Sequence, residues 1–300
     1  MAAKIIDGNK IATEIRQEIK ERVAKLKEKG ITPKLSVVLV GDDPASISYI
    51  TSKAKGCDEI GMCSETIKLP SDATEMEVMG TVDTLNKDPG VHGILVQLPL
   101  PKHIKADNII NYISPEKDVD AFTPVNLGKL MRGEEAFLPC TPHGIYQLLI
   151  RSGVNLKGAE VVMVGASNIV GRPLTMLLSQ EKDGLGATVT LCHVFTKDIS
   201  VHTKRADVLV VAVGKVNLVT ADMVKEGVVV IDVGINRIGK TESGKAIIVG
   251  DVDFEGIKEK ASAITPVPGG VGPMTVTMLL VNTVEAAERT IKSYCCKGKG

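Results

Sequence analysis

The sequence predicts an α/β protein with two domains, and three observations support this fold class. Short runs rich in Val, Ile and Leu alternate with helical patterns along most of the 300 residues. Several runs are continuously apolar, which is typical of strands buried on both faces of a parallel sheet. A fresh strand–turn–helix unit opens at Glu160, which indicates a second domain after the first.

The elements follow from hydrophobic period and from turn residues. One helix is bounded by Asp43 as N-cap, Pro44 in the first turn and Gly61 as the stop. The other predicted helices are Ile11–Lys29, Glu75–Leu85, Thr141–Arg151, Arg172–Leu178 and Met274–Ser293. The predicted strands are Leu35–Val40, Glu65–Leu69, Gly93–Leu98, Glu160–Val164, Thr188–Cys192, Val208–Val213, Val228–Val233 and Ala246–Val249.

A domain boundary is expected near Pro139–Ser152. The stretch before it carries many turn residues, namely Pro115, Pro124, Gly128, Gly133 and Pro139. We therefore predict a first domain over 1–142 and a second over 143–273. The last helix, 274–294, comes too late to be a crossover of the second domain, and we expect it to pack back on the first.

Composition excludes several classes of protein. Lys plus Arg and Asp plus Glu number 36 each, and this zero net charge argues against a nucleic-acid binder. A signal peptide and an apolar run long enough for a transmembrane helix are both missing, so we expect a cytoplasmic protein without a membrane partner. The six cysteines form no CxxC pair, so we expect reduced thiols and no metal site.

A glycine turn follows the strand Glu160–Val164. It reads Gly-Ala-Ser-Asn-Ile-Val-Gly over 165–171 and leads into a helix. In that context Gly165 permits a tight turn, Gly171 lets the helix approach the sheet, and the helix start offers free N–H groups to a pyrophosphate. The pattern departs from GxGxxG, so an ordinary strand–helix turn is the competing interpretation.

The end of the next strand bears on the choice of cofactor. An NAD site usually has an acid there to hold the ribose 2′-hydroxyl, whereas this strand ends in Cys192-His193-Val194 with no acid. Lys197 lies near the end of this strand, and Arg172 can also approach the ribose 2′ position. NADP is therefore favoured, although Lys197 can equally be a solvated surface lysine.

Tyr49 and Lys53 are four residues apart and project from one helical face, which Ser46 shares. Their helix follows a strand directly, so it starts at the carboxyl edge of a sheet, where α/β proteins bind ligands. A lysine partly buried there can act as a base. A surface pair with no role is the alternative.

Three further segments join this hypothesis. Gln97 ends an apolar strand, and an amide there can orient a substrate or water. Asp120 in an acidic turn can meet an amidine-like group. The loop Thr265–Thr275 is rich in Pro and Gly and suits close backbone approach to a flat ligand. Each segment also has an interpretation without a functional role. Gln97 can simply hydrogen-bond to loop backbone groups, Asp120 can lie in a solvated charged turn, and Thr265–Thr275 can be a rigid connection between domains.

Together these segments resemble the bifunctional methylenetetrahydrofolate dehydrogenase/methenyltetrahydrofolate cyclohydrolases over about Ile5 to Ala287. The matching pieces are Tyr49–Lys53, Val91–Pro99, Lys117–Asp120, Gly165–Gly171 and the very specific Pro266–Thr275. The resemblance implies a folate-binding catalytic domain, a Rossmann-like dinucleotide domain and a cleft between them. It also implies oxidation of 5,10-methylenetetrahydrofolate with NADP, followed by hydrolysis to 10-formyltetrahydrofolate, in a homodimer.

The resemblance also assigns residues. Lys53 would be the key catalytic residue with Gln97 orienting it, Tyr49 would stack on the aminobenzoyl ring, and Asp120 would bind the pterin edge. The implied folate contacts are Tyr49, Lys53, Val96, Gln97, Leu98, Asp120, Pro268, Gly269, Gly270 and Val271. The implied dinucleotide contacts are Gly165, Ala166, Ser167, Ile169, Gly171, Ile235 and Thr275.

Three positions depart from many members of the family. Ala121 stands where Gly is frequent, Ala166 where Arg is frequent, and Val194 where Ser or Arg is frequent. The last two often meet the 2′-phosphate, so NAD stays an alternative cofactor. A monofunctional NAD-dependent dehydrogenase and an inactive nucleotide-binding regulator are the competing functions, and the joint presence of Tyr49, Lys53, Gln97 and Asp120 disfavours the regulator.

Overall fold

The computed structural model describes residues 3–241 and 246–297, with side chains described as far as residue 291. The strands are β1 (Lys4–Ile5), β2 (Lys34–Val40), β3 (Cys63–Leu69), β4 (Gly93–Val96), β5 (Glu160–Val164), β6 (Thr188–Cys192), β7 (Val208–Val211), β8 (Val229–Asp232), β9 (Asn236–Lys240), β10 (Ala246–Val249) and β11 (Ala263–Ile264). The helices are α1 (Gly8–Glu28), α2 (Pro44–Ile60), α3 (Glu75–Lys87), α4 (Ala106–Tyr112), α5 (Pro124–Arg132), α6 (Cys140–Arg151), α7 (Gly171–Leu178), α8 (Ser200–Thr203), α9 (Phe254–Lys258) and α10 (Val271–Lys297).

The chain divides into two compact units. The three-stranded unit comprises Glu14–Cys140 and Val276–Gly300, and the six-stranded unit comprises Met1–Thr13 and Thr141–Thr275. Each contains a parallel sheet with helices, so the predicted α/β fold class is confirmed. The predicted domain boundaries, 1–142 with 274–294 and 143–273, stay a prediction.

The three-stranded unit is built around β2. The sheet order is β3-β2-β4, and β2 pairs in parallel with both neighbours. After its first residue β2 is buried, as expected for the central strand of a parallel sheet, and Ser36 is the polar residue among its buried side chains. Val82 of α3 and Ile109 of α4 pack with Val38 and Ile94 in one buried cluster. This packing fixes the carboxyl end of the sheet, from which Gln97 follows.

The C-terminal helix α10 is anchored in the three-stranded unit from Val276 onward. The Asn282 side chain donates hydrogen bonds to the carbonyl oxygens of Val119, at 2.8 Å, and Leu138, at 2.9 Å. Arg22 of α1 donates two hydrogen bonds to Glu288, at 2.9 and 2.7 Å. None of the helices in the described ranges is long and apolar enough to cross a membrane.

The six-stranded unit has a parallel sheet in the order β1-β11-β8-β7-β5-β6. All neighbouring strands in it are parallel. The central strands β5 and β7 consist largely of buried valines. The carboxyl end of β5 leads into the turn at Gly165, and that of β7 leads into the turn at Ala212. The order changes direction at β5, so loops that follow β5 and β7 diverge and leave room for a ligand.

Several elements differ from the sequence prediction. Strand β4 ends at Val96 rather than Leu98, because the Gln97 N–H makes the last hydrogen bond to β2, to the Val38 carbonyl oxygen at 2.9 Å. Ala246–Val249 does form a strand, but it pairs antiparallel with β9 in a hairpin outside the large sheet. Cys295 and Cys296 lie outside the residues whose side chains are described.

The predicted turn-rich stretch before Pro139 contains helix α5. Thr123 caps it by accepting a hydrogen bond from the Asn126 N–H, and Pro124 occupies its first turn. Gly133 ends it with a left-handed φ of 69°. Proline and glycine are favoured at these two helix boundaries, so the residues that indicated turns mark the two ends of a helix.

Candidate functional site

Helix α2 presents the first candidate residues, and its predicted boundaries are confirmed. Asp43 accepts a hydrogen bond from the Ser46 N–H at 2.8 Å, and Gly61 ends the helix with a φ of 78°. Tyr49 is exposed, whereas Lys53, one turn later, is half-buried. The helix thus holds an exposed aromatic ring next to a lysine whose ammonium group is directed toward the sheet.

Lys53 and Gln97 form a direct pair. The Lys53 Nζ donates a hydrogen bond to Gln97 Oε1 at 3.0 Å, and Gln97 Nε2 donates to the carbonyl oxygen of Leu98 at 2.7 Å. An ammonium group can only donate and a carbonyl can only accept, so these two partners fix the orientation of the amide. Gln97 therefore holds the lysine nitrogen at the carboxyl end of β4.

Asp120 lies close enough to Lys53 to interact with it electrostatically. Burial raises the pKa of the Asp120 carboxyl, and the carboxylate of Asp118 acts in the same direction, while Lys53 and the Cys140 thiol oppose both. The Cys140 Sγ lies 3.7 Å from Asp120 Oδ1 and donates to the Val119 carbonyl oxygen at 3.3 Å. The site therefore combines an ammonium group, an amide and a carboxyl that is easier to protonate than usual.

The turn that carries Asp120 is held by Asp118. Its carboxylate accepts hydrogen bonds from the Thr123 N–H at 2.8 Å and from Asn126 Nδ2 at 3.0 Å. Between them Ala121 is fully buried with a φ of 59°. Residues other than glycine seldom adopt this left-handed conformation, so the packing around the turn imposes it.

The glycine turn of the six-stranded unit has the predicted strand before it and the predicted helix after it. Gly165 has a φ of 116°, and a Cβ there would lie 2.9 Å from the carbonyl carbon of Ala212. A Cβ on Gly171 would lie 2.8 Å from the carbonyl carbon of Gly165 and closer still to its oxygen. Both glycines are thus required for close backbone approach, and for Gly171 that approach is to the glycine turn rather than to the sheet.

A cavity of about 950 Å³ opens beside this turn. The loops after β5, β6 and β7 line it, together with Arg172 of α7. Its lining residues include Gly165, Ala166, Arg172, His193, Val194, Phe195, Lys197, Val213 and Lys215. Arg172 donates to Asn168 Oδ1 at 2.8 Å, which fixes its guanidinium group near the glycine turn.

Family models match both parts of the chain. The catalytic domain of tetrahydrofolate dehydrogenase/cyclohydrolase matches residues 6–120, and the NAD(P)-binding domain of the same family matches residues 139–291. The chain belongs to the tetrahydrofolate dehydrogenase/cyclohydrolase family. It is 58% identical over 287 residues to the bifunctional protein FolD of Syntrophus aciditrophicus, covering 96% of this chain and 98% of that protein. It is 55% identical over 291 residues to the FolD protein of Bacillus subtilis, covering 97% and 100%.

Solved structures of this tetrahydrofolate dehydrogenase/cyclohydrolase family agree. The bifunctional FolD enzyme of Campylobacter jejuni is 52% identical, with a TM-score of 0.91 and coverage of 96% of this chain and 100% of that one. The Trypanosoma brucei enzyme, solved with NADP and an inhibitor, is 38% identical with a TM-score of 0.91, covering 97% and 99%. The predicted family is therefore confirmed.

The residues that sequence analysis assigned to the folate of this tetrahydrofolate dehydrogenase/cyclohydrolase fall in both units. Tyr49, Lys53, Val96, Gln97, Leu98 and Asp120 belong to the three-stranded unit. Pro268, Gly269, Gly270 and Val271 belong to the six-stranded unit, where Gly269 has a φ of 105°. A Cβ on Gly8 would lie 2.6 Å from the carbonyl carbon of Gly270, so this loop packs tightly on the start of α1.

Only some of the predicted dinucleotide contacts line the cavity beside the glycine turn. Gly165 and Ala166 line the cavity, whereas Ser167, Ile169, Gly171, Ile235 and Thr275 are not among its lining residues. Ser167 Oγ accepts a hydrogen bond from the Val170 N–H at 3.1 Å, which shapes the turn. Thr275 Oγ1 is hydrogen-bonded to Thr141 Oγ1 at 3.0 Å.

Cys140 and the loop at Val213–Lys215 are not predicted from the sequence. The spacing of the cysteines predicts only a reduced thiol at Cys140, and no sequence pattern links it to Asp120, twenty residues earlier. The signal for the second was available, because Val213–Gly214 follows a buried strand of the same sheet as the glycine turn. The carboxyl end of a neighbouring parallel strand is where a second wall of the cavity is expected.

Proposed function

We propose that this protein oxidises 5,10-methylenetetrahydrofolate to 5,10-methenyltetrahydrofolate with NADP and then hydrolyses the product to 10-formyltetrahydrofolate. The observation that carries the proposal is the contact of Lys53 with Gln97 beside Asp120, in a chain that belongs to a family named for both activities. The substrates are tetrahydrofolate derivatives.

The first reaction requires positioning more than acid–base catalysis. Loss of hydride from the methylene carbon gives a cation that the two adjacent folate nitrogens stabilise, so correct placement of that carbon supplies much of the rate. We assign the aminobenzoyl ring to Tyr49, whose exposed ring is free to stack. We assign the polar pterin edge to Asp120. Burial raises the pKa of its carboxyl, so this group can accept a hydrogen bond as a carboxylate or donate one when protonated.

The second reaction requires proton transfer. Water adds to the methenyl carbon and loses a proton, and the ring then opens as one carbon–nitrogen bond breaks and that nitrogen is protonated. We assign this proton transfer to Lys53, whose nitrogen Gln97 fixes in place. The bond to Gln97 uses one of the three N–H donors of the Lys53 ammonium group, which leaves donors to direct at water or substrate.

The cavity beside the glycine turn fits a dinucleotide. Its volume is at the upper end of the usual range for ligand pockets, and the backbone of the turn, including Gly165, forms part of its wall at the start of α7. When bound, NADP supplies the acceptor for the hydride. Arg172 and Lys197 line this cavity and would balance the charge of the NADP phosphates. Ala166 and Val194 also line it and contribute no charge.

We also propose a cytoplasmic homodimer that binds neither nucleic acid nor membranes. The zero net charge supports the absence of a nucleic-acid partner. The competing functions are an NAD-dependent dehydrogenase without cyclohydrolase activity and an inactive nucleotide-binding regulator.

Two assays on the full chain separate these functions. Methylenetetrahydrofolate is added with NADP or NAD, and formation of the reduced cofactor is followed by absorbance. Hydrolysis of methenyltetrahydrofolate is followed separately, without cofactor. We expect both activities and a higher kcat/KM with NADP. Reduction of neither cofactor would exclude the dehydrogenase, and a lack of hydrolysis would leave the monofunctional alternative.

Lys53→Met tests the assigned catalytic residue. We expect loss of methenyltetrahydrofolate hydrolysis with unchanged NADP binding, because the cavity lies in the other unit. Lys55→Met is the matched control, since Lys55 is an exposed lysine two residues along the same helix. Normal hydrolysis by the Lys53 variant would remove this residue from its role.

A further inference from the structure

Asp251 is a fully buried carboxylate in the six-stranded unit that organises a loop. Its Oδ2 accepts hydrogen bonds from the backbone N–H groups of Val213, at 2.7 Å, and Gly214, at 2.9 Å. Its Oδ1 accepts a third from the N–H of Lys215 at 2.9 Å. Three successive N–H groups directed at one point form a concave anion-binding nest, and here a side chain of the protein occupies it.

Asp251 is itself held through both its side chain and its backbone. Asn236 Nδ2 donates to Asp251 Oδ1 at 2.8 Å, and the Asp251 N–H donates to Asp232 Oδ1 at 2.9 Å. The Leu218 N–H donates to the Asp251 carbonyl oxygen at 2.7 Å. A Cβ on Gly234 would collide with the Asp251 side chain, so this glycine leaves the space that the carboxylate occupies. Asp251 thus has little freedom to move.

The loop that it organises is a wall of the dinucleotide cavity. Val213 and Lys215 both line the cavity, as do Gly165 and Ala166 of the glycine turn, whereas Asp251 is not among the lining residues. Gly214 between them has a left-handed φ of 67°. The shape of this wall therefore depends on three hydrogen bonds to a carboxylate behind it.

We infer that Asp251 is a positioning residue for the dinucleotide, acting through the Val213–Lys215 loop rather than by touching the ligand. The inference rests on the proposed function, because it assumes that the cavity takes NADP. It predicts that the carboxylate sets the affinity for the cofactor and leaves the hydrolysis of methenyltetrahydrofolate, which uses no cofactor, unchanged.

Asp251→Asn is the direct test. The amide keeps the size of the side chain but places an NH₂ group against backbone N–H donors, so at least one bond to the loop is lost. We expect the Kd for NADPH and the KM for NADP to rise about tenfold or more, the scale of a lost hydrogen bond to a charged group. We expect kcat at saturating NADP to fall much less, and cyclohydrolase activity to stay at the wild-type level.

Asp253→Asn is the matched control. Asp253 lies two residues later and caps α9 by accepting a hydrogen bond from the Gly256 N–H, without a bond to the Val213–Lys215 loop. Asparagine caps helices as well as aspartate does. The same change of charge there should leave NADP affinity unchanged, and an equal loss of affinity in both variants would overturn the inference.

Gly214→Ala provides a second test that removes no buried charge. Its Cβ would meet no heavy atom within 4 Å, so only the left-handed conformation of the loop is strained. We expect NADP affinity to fall about fivefold, the effect of about 1 kcal/mol of strain, with cyclohydrolase activity retained. If Asp251→Asn loses both activities through misfolding, this variant decides the question. The inference is overturned if folded Asp251→Asn or folded Gly214→Ala binds NADP as tightly as the wild type. A wild-type enzyme without activity would overturn the proposed function instead.

Discussion

Gly171→Ala should disrupt the dinucleotide site through a single methyl group. The new Cβ would lie 2.8 Å from the carbonyl carbon of Gly165 and 3.1 Å from Cα of Ala166. Non-bonded carbon atoms pack at about 3.5–4.0 Å, so α7 and the glycine turn must separate by at least about 1 Å, and by more at the Gly165 carbonyl oxygen, which lies closest to the new Cβ. All of these neighbours are backbone atoms, which cannot rotate out of the way. Overpacking of this kind costs about 1–3 kcal/mol.

The expected result is a loss of cofactor affinity with the cyclohydrolase preserved. If that cost falls mainly on the ligand-binding turn, the Kd for NADPH rises about tenfold to a hundredfold. Calorimetric titration with NADPH measures this directly, and denaturant unfolding measures the cost to the fold. The assay of methenyltetrahydrofolate hydrolysis reports on Lys53 and Gln97 of the three-stranded unit, which the substitution does not touch.

Gly128→Ala is the matched control for the same chemical change. Gly128 lies inside α5, and a Cβ there would meet no heavy atom within 4 Å. Alanine in a helix interior is favoured over glycine by about 1 kcal/mol, so this variant should be more stable with unchanged NADPH affinity. Wild-type NADPH affinity in Gly171→Ala would refute the argument from close backbone approach.

Single residues carry three other predictions. Ala121→Gly should raise the free energy of unfolding by up to about 1 kcal/mol, because glycine adopts the left-handed φ of 59° without strain; denaturant unfolding that shows a loss would contradict this. Burial lowers the pKa of His143 to about 4 from 6.5, so the unfolded state binds the extra proton and stability should fall by about 3 kcal/mol as the pH drops from about 6.5 to about 4. His143→Gln should lack this part of the pH dependence, and parallel pH profiles of unfolding for variant and wild type would count against it. Lys197→Ala should lower kcat/KM for NADP about tenfold and that for NAD much less, because only NADP carries a 2′-phosphate for this ammonium group to neutralise. Lys204→Ala removes an exposed lysine outside the cavity lining and should change neither.

The sequence predicted those elements whose local chemistry decides their structure. Asp43, Pro44 and Gly61 bound α2 as expected, because capping and a left-handed stop act within a few residues. The glycine turn was also predictable, since Gly165 and Gly171 are required by close contacts at one strand–turn–helix unit. Local signals of this kind are visible without knowledge of the tertiary structure.

The features that the sequence did not predict depend on contacts between distant segments. Cys140 lies twenty residues from Asp120 along the chain, and Asp251 reaches a loop that begins thirty-eight residues earlier. Strand β1 has only two residues and becomes a strand because β11 lies beside it. Helix α5 was missed for a different reason, since Pro124 and Gly133 indicate a turn or a helix boundary equally well until Thr123 is seen to cap the helix.

The pairing of β1 with β11 has a consequence for synthesis on the ribosome. Ala263 and Ile264 are added by the ribosome 259 residues after their partners Lys4 and Ile5. The edge of the larger sheet therefore closes only after Ile264 has emerged, and until then β1 lacks its neighbour. A contact of such high sequence separation forms late and slowly. A fragment that begins at Thr141 would leave β11 without β1 and expose a sheet edge to other chains.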